Sequence, residues 1–291
     1  MNKMDESMKQ YEVLEWASLF LEKHNRETKV AEVLLQHYLD VSRSTFFTMM
    51  RERVSASVQQ QFEEAIKTHA ETGKPVQHIT GYEYFYGRKF HVNENVLIPR
   101  PETEELVQFV IESTLQNNPD QPVTIVDIGT GSGVIAITLA LELKNATVYA
   151  TDISEKALDT AKNNAASLGA SVHFLQGDFL KPVIKHRITA DWIVSNPPYI
   201  ARADEPSLAD TVKTFDPELA LFAEENGLAA YQQIIADLPD VVKPYSHAAF
   251  EIGFEQGESV STLLKKIYPN SRVTISQDIN KKDRIVSAEL V

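Results

Sequence analysis

An α/β fold is predicted: a mostly parallel sheet with helices on both faces, preceded by a small all-helical domain and joined to it by a β-hairpin linker. Three observations predict it. From Val123 onward short β-branched runs alternate with helical runs, a pattern that builds a parallel sheet between helical layers. Over the first eighty residues the apolar positions recur at helical spacing. Between these regions, Tyr82-Glu83-Tyr84-Phe85-Tyr86 and Lys89-Phe90-His91-Val92 flank Gly87-Arg88 as two hairpin strands flank a turn. The expected division is a helical domain over 1–74, a linker over 75–101 and the α/β part over 102–291.

Four helices account for the first domain. Tyr11, Leu14, Leu19 and Leu21 flank Trp16 in one; Val30, Val33, Leu34, Leu35 and Tyr38 form a second; Phe46, Phe47 and Met50 a third; Val58, Phe62 and Ile66 a fourth. These stripes read as core. Gly73 and Pro75 close the fourth helix, glycine just past its last turn and proline close behind. Past the hairpin, Ile98-Pro99-Arg100-Pro101 is stiff and extended, because each proline fixes its own φ and biases its predecessor away from helix. The acidic residues of Glu102-Thr103-Glu104-Glu105 suit the positive end of a helix dipole and start a helix over about 102–116. Arg100 and these acids could position the cofactor tail or brace the acceptor loop, but a structural ion pair or a solvated helix start is the simpler reading, and they stand outside the catalytic set.

The α/β part then reads as strand Val123–Ile128, helix Gly133–Leu143, strand Thr147–Thr151, helix Ser154–Leu168, and strands Val172–Leu175 and Asp191–Ser195. A helix around Gly227–Asp237, a strand Ala248–Ile252, a helix Gly257–Ile267 and strands Val273–Ser276 and Arg284–Ala288 complete it. At 291 residues, two domains with substantial cores fit. Hydrophobic content of 43% and charged content of 24% are those of a soluble globular protein. No apolar run reaches the ~18 residues of a membrane span, and residues 1–10 are too polar for a secretory signal, so a cytoplasmic protein with no membrane partner is expected. With no cysteine and eight scattered histidines, no disulfide framework, thiolate zinc site or metal catalysis is expected.

The net charge of −13 is uneven: residues 1–100 hold 13 Lys/Arg against 14 Asp/Glu, and residues 101–291 hold 15 against 27. Phosphate backbones call for the opposite sign, so direct nucleic-acid binding is disfavoured and a basic protein partner fits better. The same acidity also serves solubility.

Two loops carry chemistry. The first follows Val123–Ile128 and reads Asp127-Ile128-Gly129-Thr130-Gly131-Ser132-Gly133. A glycine loop between strand and helix offers a nucleotide-like ligand close approach and bare backbone N–H groups. A nucleotide or dinucleotide site also fits such a loop, although the dinucleotide pattern would be GxGxxG. The alternating D-x-G-x-G-x-G resembles the first motif of class I S-adenosylmethionine-dependent methyltransferases. That resemblance implies a Rossmann-like, mostly parallel seven-stranded sheet, with S-adenosylmethionine as cofactor and S-adenosylhomocysteine as product. Gly129, Thr130, Gly131, Ser132 and Gly133 would then pass under the cofactor. At the end of the next strand, Asp152 can accept both ribose hydroxyls, with Ile153 beside it; after the third, Asp178 can take the adenine amino group and Phe179 can cover the ring.

The second loop, Asn196-Pro197-Pro198-Tyr199, follows the fourth strand, which in this fold lies beside the first, across the point where strand order reverses. Planar amide and aromatic-amine nitrogens are poor nucleophiles, their lone pairs being delocalised. Asn196 Oδ1 and the Pro197 carbonyl can accept the two hydrogens of such a nitrogen and aim it at the sulfonium methyl for in-line displacement. Pro198 stiffens the loop, and Tyr199 packs against the flat acceptor. Asn196, Pro197 and Tyr199 are the expected catalytic residues, Asn196 to Tyr199 the substrate-binding set, and Asn196 also borders the cofactor.

This loop is shared by enzymes that methylate adenine amino groups in DNA or RNA and by those that methylate glutamine amides. Pro75-Val76-Gln77-His78-Ile79-Thr80-Gly81, Phe85-Tyr86-Gly87 and Val96-Leu97-Ile98-Pro99-Arg100-Pro101-Glu102-Thr103-Glu104 closely resemble the linker of the protein-(glutamine) methyltransferases that modify class I peptide chain release factors. Phe215-Asp216-Pro217-Glu218-Leu219-Ala220-Leu221, Gly227-Leu228, Glu251-Ile252-Gly253, Gln256-Gly257 and Asp283-Arg284 match as well. The resemblance covers about residues 75–290. It implies methylation of the glutamine in the Gly-Gly-Gln loop of a release factor, gripped by the helical domain; a monomer is expected. Two departures stand out: Glu224-Glu225-Asn226-Gly227-Leu228 replaces a turn that is often Gly-Gly in relatives, and Phe179 stands where some members have tryptophan.

Overall fold

The structure, a computed structural model, describes residues 8–117 and 120–291. The chain separates into two compact units. One contains the chain up to Gly81 together with Ala209–Phe215; the other contains Tyr82–Leu208 and Asp216–Val291. No helix among the described residues is long and apolar enough to cross a membrane.

The first unit is helical, with α1 (Gln10–Lys23), α2 (Lys29–Leu39), α3 (Arg43–Thr48), α4 (Ala56–Thr72) and α5 (Val76–Thr80). Ser42 and Ser55 cap α3 and α4, each side-chain oxygen accepting from a backbone N–H three residues on. Gly73 ends α4 with φ of 75°, the left-handed cap that glycine takes without strain. Val13, Leu14, Ala17, Leu21, Leu34, Leu35, Phe46, Phe62 and Ile66 form its core. Tyr11, Leu19, Val33 and Phe47, expected in that core, are exposed. On α1 the positions 10, 13, 14, 17 and 21 share one face at the 3.6-residue period, which leaves 11 and 19 on the other. Within the stretch expected as linker, Val76–Thr80 forms α5 and groups with this unit.

In the second unit the hairpin pairs β1 (Tyr82–Phe85) with β2 (Arg88–His91). Its turn is Tyr86-Gly87, not Gly87-Arg88. A two-residue hairpin turn of the twist-matching kind needs positive φ at both positions; Tyr86 and Gly87 have φ of 50° and 72°, while Arg88 is already paired with Phe85. Then follow α6 (Pro101–Asn117), β3 (Val123–Ile128), α7 (Val134–Glu142), β4 (Ala146–Asp152), α8 (Glu155–Leu168), β5 (Val172–Gln176), α9 (Lys181–Lys185) and β6 (Ala190–Ser195).

Between β6 and the next long helix the sequence carries no clear periodicity. This segment folds as β7 (Ile200–Ala201), a 3-10 turn Arg202–Ser207, α10 (Asp210–Phe215), α11 (Glu218–Leu221), β8 (Phe222–Ala223) and a distorted turn α12 (Glu224–Gly227), with β7 and β8 paired in parallel. The chain ends with α13 (Ala229–Asp237), β9 (Val242–Glu251), α14 (Gly257–Ile267), β10 (Arg272–Gln277) and β11 (Asp283–Leu290).

The seven-stranded sheet has the order β10-β11-β9-β6-β3-β4-β5. Six of its strands point the same way, five of them in consecutive parallel pairs; β11 alone is reversed, antiparallel to both of its neighbours. The two faces carry separate cores. Ile125, Val148, Trp192 and Val194 pack with α6 and α7, whereas Val126, Ile128, Ile193, Ala248 and Phe250 pack with Tyr231, Ile234, Val260 and Leu264. The alternation along β3 and β6 is the period-2 side-chain rule acting in a strand buried on both faces.

Candidate active site

Strand register brings the two loops together. Ile128 pairs with Ser195 on one side and Thr151 on the other, Ser195 pairs with Phe250, and Asp152 pairs with Gln176. The residues that follow, Gly129, Asn196, Glu251, Ile153 and Gly177, therefore leave the sheet side by side at its carboxyl edge, where ligands of open α/β sheets collect. The Ser195 hydroxyl donates to the Ile128 carbonyl at 2.7 Å and ties the two loop bases together.

The glycine loop differs from expectation in one respect: its N–H groups are not bare. Gly129 and Thr130 both donate to the Thr151 carbonyl at 2.9 Å, Gly131 donates to Asp152 Oδ2 at 2.9 Å, and Gly133 donates to the Thr130 carbonyl at 2.8 Å. The donors are consumed in holding the loop against β4, so the glycines serve conformation and close approach. Gly129, Gly131 and Gly133 have φ of 69°, 55° and 86°. A Cβ on either of the first two would meet open space, whereas on Gly133 it would lie 2.7 Å from Ile137 Cδ1 and 3.1 Å from Ala161 Cβ. Thr130 and Ser132 are buried. Asp127, fully buried, accepts from the Thr130 hydroxyl at 2.6 Å and the Ala136 N–H at 3.2 Å. Burial pushes its carboxyl up to about 7.

Asp152 accepts from Gly131 N–H through Oδ2 and from Ser154 N–H through Oδ1, both at 2.9 Å. A carboxylate has about four acceptor sites, so these bonds orient it and leave capacity for two hydroxyls. Its pKa is raised, burial outweighing those hydrogen bonds. Ile153 is 56% exposed, an apolar side chain open at the loop surface. Asp178 pairs with Lys181 one turn on, and Phe179 sits at φ of 45°, half-buried against the core that contains Val126, Ile128 and Tyr231. A bulky residue held in the left-handed region is a strained conformation of the sort that clusters at ligand sites. Open space over Gly129 and Gly131, an oriented carboxylate with spare acceptor sites and exposed apolar surface fit a nucleoside with a short polar tail.

On the acceptor side, Asn196 Nδ2 donates to Thr103 Oγ1 at 3.2 Å, and that hydroxyl donates to Glu251 Oε2 at 2.7 Å. Among the described residues no protein donor reaches Asn196 Oδ1. Pro197 is buried, and Pro198 and Tyr199 are half-buried. The Tyr199 carbonyl accepts from Gln256 Nε2 at 2.9 Å, while Gln256 Oε1 accepts from Gly253 N–H at 3.0 Å. Gly227, at φ of 82°, presses on this carbonyl, since a Cβ there would come within 2.1 Å of Tyr199 O. Burial and the nearby Glu251 carboxyl push the Tyr199 phenol up to about 12, so it stays neutral.

Arg100 donates to Asp216 at 2.8 Å, Glu104 accepts from Tyr86 N–H, and Glu105 accepts from Ile279 N–H. Arg100 thus pairs with a residue outside its own stretch, and two of the acids hold backbone N–H groups. Thr103, in the same stretch, was not assigned a role from sequence, nor were Glu251, Gln256 and Gly227. Each lies within a stretch whose pattern was noted, but only the three-dimensional register reveals that they converge on Asn196 to Tyr199.

Residues 12–81 match the model of the PrmC N-terminal domain, and residues 108–214 match the methyltransferase small domain. Among solved structures, the hMettl16 catalytic domain in complex with a MAT2A 3′UTR hairpin superposes with a TM-score of 0.54 at 15% identity, covering 80% of this chain and 82% of that one. The T. thermophilus 16S rRNA methyltransferase RsmC, in complex with AdoMet and guanosine, gives 0.51 at 14% identity over 72% of this chain and 50% of that one. The sheet order, the strand-end loops and these matches define a class I S-adenosylmethionine-dependent methyltransferase. The release factor glutamine methyltransferase of Bacillus cereus is 46% identical over 97% of this chain and 100% of its own length, and that of Bacillus subtilis is 43% identical over 96% of each. The Enterococcus faecalis enzyme of the same name is 42% identical over 96% of this chain and 98% of its own. The chain belongs to the release factor glutamine methyltransferase family.

Proposed function

We propose that this chain methylates the side-chain amide nitrogen of the glutamine in the Gly-Gly-Gln motif of class I peptide chain release factors. The observation that carries the reading is the Asn196 carboxamide, held by its nitrogen end beside the glycine loop with its oxygen unclaimed by protein donors. S-adenosylmethionine supplies an electrophilic methyl on a sulfonium centre. Gly129, Thr130, Gly131, Ser132 and Gly133 give it close approach; Asp152 receives the ribose hydroxyls; Ile153, Asp178 and Phe179 take the adenine.

Asn196 Oδ1 and the Pro197 carbonyl accept the two hydrogens of the glutamine NH₂ and turn its nitrogen toward the methyl. Neither group removes a proton before attack. Methylation makes the nitrogen cationic and its proton acidic, so loss to water follows. Orientation and exclusion of water are the main catalytic contributions, with positioning worth up to several kcal/mol. Pro198 stiffens the loop, and the neutral Tyr199 ring packs on the flat amide. The helical domain over 1–74 grips the release factor, and 75–101 links it to the catalytic domain. The enzyme acts in the cytoplasm as a monomer, without direct nucleic-acid contact; the acidity of residues 101–291 favours a basic protein partner over a phosphate backbone.

Labelled S-adenosylmethionine is offered to the purified protein with a release factor, with that factor changed Gln to Ala in its Gly-Gly-Gln loop, and with adenine-containing DNA and RNA. Label is expected in the unaltered factor alone. Label in nucleic acid and not in protein would replace this reading with adenine-amino methylation.

A further inference from the structure

A carboxamide is nearly symmetric in shape and opposite in chemistry at its two ends: turned about its bond, Asn196 would present two donors to an acceptor nitrogen that itself carries hydrogens. Something must fix which end faces out. We propose that Thr103 and Glu251 are positioning residues that set the orientation of the Asn196 amide. The inference rests on the reading that Asn196 holds the acceptor.

The available protons fix the direction of each bond. The Thr103 hydroxyl has a single hydrogen, and it is directed to Glu251 Oε2 at 2.7 Å. Its oxygen can then only accept, and the group it faces, at 3.2 Å, is Asn196 Nδ2, an amide end that the Glu251 carboxylate also favours directly. With the nitrogen end claimed, Oδ1 is the end left for the acceptor. Thr103 is 3% exposed and Glu251 2% exposed, so water does not compete for these bonds. Three elements meet here because Ser195 pairs with Phe250, which puts Asn196 and Glu251 at adjacent strand ends, while the first turn of α6 delivers Thr103.

The relay works in this direction while Glu251 is a carboxylate. If it is protonated, Glu251 can donate to Thr103, whose own hydrogen is then free to turn toward residue 196 and favour the flipped amide. The charged and titratable groups facing Glu251 are Arg284 from β11, Glu102 from α6, Tyr199 from the acceptor loop and Tyr231 from α13, whose hydroxyl donates to the Glu251 carbonyl. Arg284 favours the carboxylate and is itself held by Asp278 at 3.1 Å; Glu102 opposes it. Burial dominates and brings the carboxyl up to about 7, so the relay would switch close to neutral pH.

The test uses the full chain, labelled S-adenosylmethionine and a release factor. Thr103→Val, which keeps the shape and loses the hydroxyl, should lower kcat about 100-fold while cofactor affinity is retained; Thr103→Ser should restore most of the rate. The unaltered enzyme should gain kcat as pH rises through an ionisation near 7, and Glu251→Gln should lose that limb. The pH profile of the unaltered enzyme requires no variant to fold. A Thr103→Val enzyme as fast as Thr103→Ser, or a Glu251→Gln profile that keeps the limb, would overturn the relay. Asn196→Ala separates the two levels: if it is slow while Thr103→Val is fast, only the relay fails; if it too is fast, the reading of the acceptor loop fails.

Discussion

Gly227 and Glu251 brace the acceptor loop from behind. At φ of 82°, with a hypothetical Cβ 2.1 Å from the Tyr199 carbonyl oxygen, position 227 tolerates only glycine. Gly227→Ala is expected to cost about 2–4 kcal/mol in chemical denaturation, combining left-handed strain with overpacking, and to lower turnover by displacing Tyr199. Glu251 and Asp127 contribute a second effect. Both carboxyls are pushed up to about 7, from ordinary values of 4.5 and 3.8, by burial. The native state therefore keeps these protons where the unfolded chain has released them. Their contribution to stability is full below the ordinary values and is lost as pH rises through about 7. The thermal midpoint should fall between pH of about 5 and about 8, and Glu251→Gln should flatten that fall, leaving the Asp127 share. Equal slopes in the two proteins would contradict the assignment.

The loops depend on the secondary-structure elements that anchor them. The glycine loop is fastened by two N–H groups sharing the Thr151 carbonyl and by Gly131 on Asp152, so β4 shapes the ligand surface of β3. Gly133, where α7 crosses close to Ala161 of α8, carries that packing; Gly133→Ala should weaken cofactor affinity at least about tenfold in calorimetry, because the helix start must shift. The turn at Glu225-Asn226 is a weak point: both residues are left-handed, with φ of 56° and 57°. Glu225→Gly is expected to raise stability by about 0.5–1 kcal/mol, relieving strain that exceeds the entropy glycine adds to the unfolded chain.

Across the whole molecule, what was legible in the sequence had local causes. The helix end at Gly73, the alternation from Val123 onward and the two loops at strand ends follow from neighbouring residues, and the elements they imply are present. The exposed Tyr11 and Leu19 show where periodicity misleads, since a stripe of apolar residues does not say which face meets the core. Tyr86 in the hairpin turn was missed because an aromatic residue gives no sign of accepting positive φ. The convergence of Thr103 and Glu251 on Asn196 was out of reach for a different reason: it depends on 93 residues of separation closed by α6 and on the pairing of β6 with β9. The segment from Ile200 to Ala223 escaped because its elements are a few residues long and take their shape from each other, β7 pairing with β8 across the intervening turns.

Whether Asn196 holds the acceptor amide rather than the cofactor is decided by a pair of measurements on Asn196→Ala: the calorimetric affinity for S-adenosylmethionine and the single-turnover rate on a release factor. The expected result is an affinity close to that of the unaltered protein and a rate lower by about 100-fold or more. A variant that turns over normally, or one that loses the cofactor and the rate together, would contradict it.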